Sequence, residues 1–253
     1  MEQTTTSSIR VTGLLGLFAL LIPMSAPAES LSVAGPNSPA GLALARYIAS
    51  IQERDPFADS GPVGVEIDAS LPGLYKKARL LAVRETGESE RSEYRVLQIE
   101  GDAIVAQEVI ARYFLMQEQL EDLPLSSVAI TPENYKFRYR GEVGTGGALA
   151  YVYQITPKKK RDGLIQGQLW IDSGTGAAIL QAGRFVKTPP LCPGKIDVVR
   201  NTELLDGNRR VRVTHVTIET PRAGRGELTI TEMPLAKAEE EQHRFGSLPL
   251  ARQ

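Results

Sequence analysis

The chain has 253 residues, a formal net charge of −1 and a single cysteine, Cys192. This near-neutral charge argues against nucleic acid as the main partner, because nucleic-acid-binding domains are usually basic. One cysteine excludes a disulfide within the chain, and therefore excludes a small extracellular fold held together by disulfides.

The first 28 residues have the features of a secretory signal peptide. Arg10 precedes an apolar run over residues 11–22, and Ala26 and Ala28 supply the small side chains that favour cleavage after Ala28. The run is too short for a transmembrane helix and is broken by Pro23. We therefore expect a periplasmic protein with no transmembrane anchor after cleavage, whose residues 29–235 form one domain.

The first half of that domain predicts a helix, three strands and a second helix. Ser38 is the expected N-cap of the first helix, which starts at Pro39 and ends before Asp55. The three strands are predicted over residues 63–67, 75–86 and 93–100. The second helix is predicted from about Asp102 to Leu123, because its apolar residues recur at three-to-four spacing.

Residues 135–187 read as an antiparallel meander with short, glycine-rich turns. Side chains alternate between the two faces of a strand, so the apolar residues of this segment share one face. The residues that we expect to bind an apolar ligand on that face are Tyr135, Phe137, Tyr139, Tyr151, Tyr153, Leu169 and Ile171. An equally open interpretation is that they simply fill the interior beneath the helices.

Two or three further strands are predicted, over residues 196–204, 210–220 and 227–232. In the middle one, Val211 and Val213 are out of phase with Val216 and Ile218, which predicts a β-bulge near His215. Residues 236–253 are charged and predict a disordered C-terminal tail. The fold class is therefore mainly β: a single curved antiparallel sheet of about ten strands, an open half-barrel, covered by two helices.

This order of elements resembles the LolA/LolB superfamily of periplasmic lipoprotein carriers, whose wider circle includes RseB-like domains. The most similar segments are Ala150–Lys158 and Gly167–Asp172, where a tyrosine–aliphatic–proline run is followed by a strand ending in Trp-Ile-Asp. The resemblance implies an open β-barrel with an apolar concave face and helices across its mouth. No position here matches the carriers' functional arginine or their hydrophobic anchor loop.

No catalytic, metal or cofactor signature is present. A nucleophilic triad almost always uses a histidine, and the chain has only His215 and His243, neither of them close in sequence to Cys192. No cluster of His, Cys or carboxylate residues has metal-ligand spacing. The basic run Lys158–Arg161 is interpreted as a solvated turn, with attraction to anionic headgroups or an acidic partner as the alternative.

The leading hypothesis is a non-enzymatic periplasmic protein that binds a lipid, an acyl chain or a lipoprotein on its concave face, with the helix from Asp102 to Leu123 as a gate. The alternative is an envelope protein-interaction or sensor module with the same fold but no lipid cavity, whose outer face would carry Arg138, Arg140 and Gln168. An enzyme is the third and weakest hypothesis.

Overall fold

A computed structural model of the chain describes residues 35–53, 61–86, 91–145, 148–188, 194–205 and 209–235. The chain divides into two units, Met1–Leu31 and Ser32–Gln253, and all the described residues belong to the second. The predicted signal peptide, Cys192, His243 and the predicted C-terminal tail lie outside the described residues.

One open sheet of ten strands forms the framework, and every neighbouring pair is antiparallel. The order across the sheet is β3-β2-β1-β10-β9-β8-β7-β6-β5-β4, so β3 and β4 are its two edges. The predicted fold class is therefore confirmed. The strands are β1 (Val63–Leu71), β2 (Lys76–Thr86), β3 (Ser92–Gly101), β4 (Tyr135–Thr145), β5 (Ala148–Pro157), β6 (Ile165–Asp172), β7 (Ala178–Phe185), β8 (Ile196–Leu205), β9 (Arg209–Thr220) and β10 (Gly224–Pro234).

The helices begin where the sequence predicts. Helix α1 (Pro39–Glu53) follows Ser38, whose hydroxyl accepts a hydrogen bond from the Gly41 amide at 3.0 Å. The second helical run consists of α2 (Ala103–Val105), a π-helical turn (Ala106–Ile110) and α3 (Ala111–Glu121), and we call residues 103–121 the long helix. Asp102 caps it by accepting from the Ile104 amide at 2.9 Å. A short α4 (Leu125–Val128) follows Pro124.

All of these helices except α4 pack on one face of the sheet, which we call the inner face, and they divide its core into two clusters. The α1 cluster lies on strands β4–β6, and its buried members are Ala40, Ala43, Tyr47, Ile130, Tyr135, Tyr151, Tyr153, Ile155, Leu164, Leu169 and Ile171. The long-helix cluster lies mainly on β1, β2, β9 and β10. Its largest members include Ile67, Leu71, Leu80, Val109, Ile110, Tyr113, Met116, Ile218, Leu228 and Ile230.

The predicted bulge near His215 is wrong. Strand β9 pairs with β8 and β10 without a register shift from Arg212 to Ile218. Val211 and Val213 therefore lie on the outer face, opposite Val216 and Ile218, and are half-buried there. A strand in the middle of the sheet can carry valines on both faces, so the change of apolar phase needed no extra residue.

Candidate functional site

The structure places all seven residues of the predicted ligand site in the α1 cluster, on the inner face of β4, β5 and β6. Tyr135, Tyr151 and Tyr153 are buried, as are Leu169 and Ile171, while Phe137 and Tyr139 are half-buried. The aromatic rings contact one another along β4 and between β4 and β5, with ring centroids 5.7 to 6.5 Å apart. The sequence therefore grouped these side chains correctly, and in this structure α1 covers them.

Two of the buried tyrosines use their hydroxyls to hold neighbouring elements. Tyr153 donates to the carbonyl of Ala40, in the first turn of α1, at 2.7 Å. Tyr135 accepts from the Ile165 amide at the start of β6, at 3.1 Å. Burial, followed by the neighbouring hydroxyls of Tyr139 and Tyr151, raises the pKa of Tyr153 to about 12. The hydroxyl of Tyr153 therefore stays protonated at physiological pH, and its hydrogen bond to Ala40 joins α1 to the sheet.

The turn between β6 and β7 is the second support of α1. Arg46 donates to the carbonyl of Ser173 at 2.8 Å. Gly176 has a φ of 78°, and a Cβ built on it would lie 2.6 Å from the Cβ of Arg46 and 3.2 Å from the Ala43 carbonyl. Only glycine lets the helix approach this closely. Asp172 holds the turn by accepting hydrogen bonds from the Gly174 and Thr175 amides.

The predicted gate, the long helix, lies over the other half of the inner face. Its π-helical turn contacts β1, β9 and β10. A Cβ on Gly226 of β10 would come within 3.0 Å of Val109, so helix and strand approach closely there. The turn also buries Glu108, which accepts from Arg112 one turn later at 3.0 Å. π-Helical turns are rare, and many of those known lie at functional sites.

The edge strand beside the long helix carries an apolar surface that the helix leaves open. Val96 and Ile99 pair with the buried Ala82 and Leu80, so both side chains point to the inner face. They can share a face although they are three positions apart, because a register shift leaves Leu97 without a paired residue in β2. Val96 is 52% exposed, Leu97 46% and Ile99 53%. We call these three residues the β3 rim. The sequence predicted only an ordinary strand here.

A band of polar side chains follows the inner face along β7–β10 and β2. Its ionic part joins Glu232 to Arg84 at 3.3 Å and to Arg212 at 3.8 Å, with all three side chains mostly buried. Tyr94 of β3 lies beside Arg84 and Glu232, and burial raises its pKa to about 12. The apolar inner face is therefore interrupted by charge, which sets the limit of the long-helix cluster.

The remaining polar candidates lie away from these clusters. His215 is on the outer face, where its Nδ1 lies 3.0 Å from the hydroxyl of Thr229. In the basic turn, Lys158 donates to the Pro132 carbonyl and Arg161 to the Asn134 side chain at 2.6 Å. Among the described residues, no three His, Cys, Asp or Glu side chains are grouped so that they could hold a metal ion. Within the same residues, no helix has the length and apolarity needed to cross a membrane.

Comparison with known proteins finds distant structural similarity. No family model matches the chain, and no curated protein matches it significantly. Among solved structures, the chain is similar to the LolA superfamily protein NE2245 from Nitrosomonas europaea, with 14% sequence identity. The match covers 80% of this chain and 96% of that chain, with a TM-score of 0.34. A similarity at this level gives no information about what the chain binds.

Proposed function

We propose that this is a non-enzymatic periplasmic protein that binds an apolar ligand, either a lipid or the acyl chain of a lipoprotein, on the inner face of its sheet. The observation that carries the proposal is the β3 rim. Val96 and Ile99 continue the apolar inner face past Ala82 and Leu80, yet about half of each side chain is in contact with solvent. Large apolar side chains grouped at an open edge are typical of binding surfaces.

Binding would begin at the β3 rim and extend beneath the long helix. Each Å² of apolar surface that the ligand and the rim bury together contributes about 25 cal/mol, before the cost of ordering the ligand. Further burial requires the long helix to move away from the sheet. Its π-helical turn, Ala106–Ile110, gives it a local break in the regular hydrogen-bond pattern at which such a movement can occur.

The predicted aromatic site is the second surface available to the same ligand. Its buried residues become accessible only if α1 leaves the sheet, which breaks the hydrogen bonds from Tyr153 to Ala40 and from Arg46 to Ser173. The β3 rim requires no such step. The first contact with the ligand is therefore at the rim, and the buried aromatic residues are exposed only in a later step.

Native mass spectrometry of the gently purified protein tests the proposal. We expect an added mass that extracts into organic solvent, or uptake of fatty acid or phospholipid added to the protein. Ile99→Glu places a charge in the rim and should abolish uptake. Val199→Glu is the matched control. Like Ile99, Val199 is an exposed β-branched residue in a strand, but it lies on the outer face.

A third variant distinguishes the two apolar surfaces. Tyr139→Glu places a charge at the half-buried edge of the aromatic residues. Loss of uptake in Ile99→Glu alone locates the ligand at the β3 rim, and loss in Tyr139→Glu alone locates it in the predicted aromatic site. A protein that stays free of lipid under all these conditions contradicts the proposal.

The alternative is an envelope protein-interaction or sensor module with the same fold and no lipid cavity. The observation in its favour is the dense packing of the α1 cluster, where Tyr135, Tyr153 and Leu169 are almost completely buried. A filled inner face leaves the outer face for a partner. A lipid-free protein that retains a partner in pull-downs, and loses it when Arg138, Arg140 and Gln168 are replaced, would establish this function instead.

A further inference from the structure

A groove of about 560 Å³ lies on the outer face of the sheet, opposite the face on which α1 and the long helix pack. Three cations of the edge strand β4 line it, together with neutral polar side chains of β5 and β6: Lys136, Arg138, Arg140, Gln154, Thr156 and Gln166. Strand alternation places Lys136, Arg138 and Arg140 on the same face, and the register shift between Tyr139 and Gly141 leaves Arg140 without a paired residue in β5. Its volume is that of a small-ligand site.

The three groove cations have no carboxylate partner among the residues that the structure describes. Other exposed cations do: Arg79 pairs with Glu66 at 2.5 Å, and Arg184 pairs with Asp197 through two hydrogen bonds at 2.7 and 2.9 Å. Arg184 lies directly opposite Gln166 of the groove. The cation next to the groove is therefore neutralised by a carboxylate, whereas the described residues offer no such partner to the three cations in the groove.

The nearby carboxylates are all directed elsewhere. Glu142 pairs with Tyr151 and therefore lies on the inner face. Asp162 holds Lys187 at 2.7 Å. Glu133 is held by Thr131 and lies near Lys158, and these contacts lower its pKa. Residues 133–162 contain seven cations and three carboxylates in a chain whose total charge is −1, so the positive charge is concentrated at this edge.

The donors in the groove suit phosphate better than carboxylate. Alternate residues of a strand are about 6.6 Å apart, so the three cations extend over a distance that neither one carboxylate nor one phosphate can span, and the ligand needs more than one anionic group. Each guanidinium presents five N–H donors in a planar fork. A phosphate carries up to two charges and three strong acceptor oxygens, and can therefore satisfy more of these donors than a carboxylate can.

The position of the groove argues against an acidic peptide added as an extra strand. Such a peptide would lie beyond the free edge of β4 and pair with its backbone. The groove instead extends inward over β5 and β6, as far as Gln166. A ligand in contact with all six lining residues therefore lies on the face of the sheet.

We propose that this groove binds a ligand with two or more phosphate groups, either free in solution or as the headgroup of an anionic lipid. Lys136, Arg138 and Arg140 supply the positive charge, while Thr156 and Gln166 supply neutral hydrogen-bond donors. Lys159 and Lys160, exposed in the adjoining turn, attract the anion from a distance without contacting it. This site is separate from the inner face, so it can be present or absent whatever the result for the apolar ligand.

Calorimetric titration with tripolyphosphate tests the site in the purified protein. The Arg138→Gln/Arg140→Gln variant should weaken binding by at least about thirtyfold, because two charge-assisted contacts are lost. Lys159→Gln/Lys160→Gln removes the same charge from the adjoining turn and should weaken binding by less than about threefold. Both variants change exposed side chains, and thermal unfolding verifies that each is folded.

Vesicle sedimentation identifies the source of the phosphate. The vesicles consist of phosphatidylcholine and cardiolipin, an anionic phospholipid with two phosphate groups. Vesicles that are bound by the natural chain, released by tripolyphosphate and not bound by the arginine variant indicate a lipid headgroup. Tripolyphosphate binding without vesicle binding indicates a free phosphate compound. Equal weakening by both double variants would overturn the proposal in favour of a diffuse basic surface.

Two other results would overturn it as well. Binding of poly-glutamate in the absence of any phosphate binding would identify an acidic peptide as the ligand. If no probe binds and the arginine variant self-associates, the cations serve only to prevent the β4 edge from pairing with a second copy.

Discussion

The two halves of the inner face are built from similar strands but are covered to different extents. At the β4 edge, α1 and its neighbours bury Tyr135, which is only 2% exposed, and leave Phe137 and Tyr139 half-buried. At the β3 edge, the long helix stops short, and Val96 and Ile99 remain half exposed. Long aromatic side chains reach across the edge and fill the space beneath α1, whereas short aliphatic ones do not. The aromatic pattern therefore marks the closed half, and the aliphatic edge marks the accessible one.

Truncation of the core should show this difference most strongly. Leu169→Ala in the α1 cluster removes a completely buried side chain and should lower the free energy of unfolding by about 3 kcal/mol. Ile99→Ala in the β3 rim removes a similar side chain and should cost less than about 1 kcal/mol, because the site is already hydrated. Urea unfolding of both variants measures the difference. Equal losses would mean that the rim is covered in solution.

The ionic part of the polar band should respond nearly as strongly. Glu232→Gln removes the carboxylate charge that pairs with the mostly buried Arg84 and Arg212, which should destabilise the protein by about 3 kcal/mol. Glu227 on the same strand pairs with Arg225 in an exposed ion pair, so Glu227→Gln should change stability by less than about 0.5 kcal/mol. A small effect at Glu232 would show that water reaches the long-helix half more deeply than its burial indicates.

Much of the fold could be predicted because it depends on local patterns. Alternation of apolar residues located the strands, and Ser38 and Asp102 located the helix starts. The ends were less well defined, since the long helix stops at Glu121 and Pro124 precedes a further short helix. Grouping the seven inner-face residues also followed from alternation alone.

What covers each half of the inner face could not be predicted, because it depends on contacts between distant residues. Arg46 meets Ser173, 127 positions later in the chain, and Gly176 allows α1 to approach the turn. The β3 rim gave no signal either. A run such as Val96-Leu97-Gln98-Ile99 reads as an ordinary half-buried strand, and its exposure follows only from the edge position of β3 in the sheet order.

Gly176 offers a way to loosen the covered half without changing the core. Gly176→Ala places a Cβ against Arg46 and forces a residue other than glycine into the left-handed backbone region. We therefore expect the free energy of unfolding to fall by about 2 kcal/mol. Faster amide exchange should be confined to α1 and leave the long helix unchanged. Gly73→Ala is the control, because a Cβ there meets nothing within 4 Å. Uniform destabilisation would mean that α1 and the sheet unfold as one unit.

The smallest effect concerns Asp172, which shapes the same turn. Hydrogen bonds from the Thr175 amide and hydroxyl and from the Gly174 amide lower the pKa of Asp172. A carboxyl with a lowered pKa in the folded state stabilises the protein above the ordinary aspartate pKa of about 4, and this contribution is lost as the pH falls through the lowered value. The protection of α1 amides from exchange, relative to their intrinsic exchange rates at each pH, should therefore decrease below about pH 4. Asp172→Asn keeps an acceptor oxygen but cannot titrate there, so its α1 exchange should lose this pH dependence. If the variant and the natural chain show the same acid dependence, carboxylates other than Asp172 cause α1 to separate from the aromatic residues at low pH.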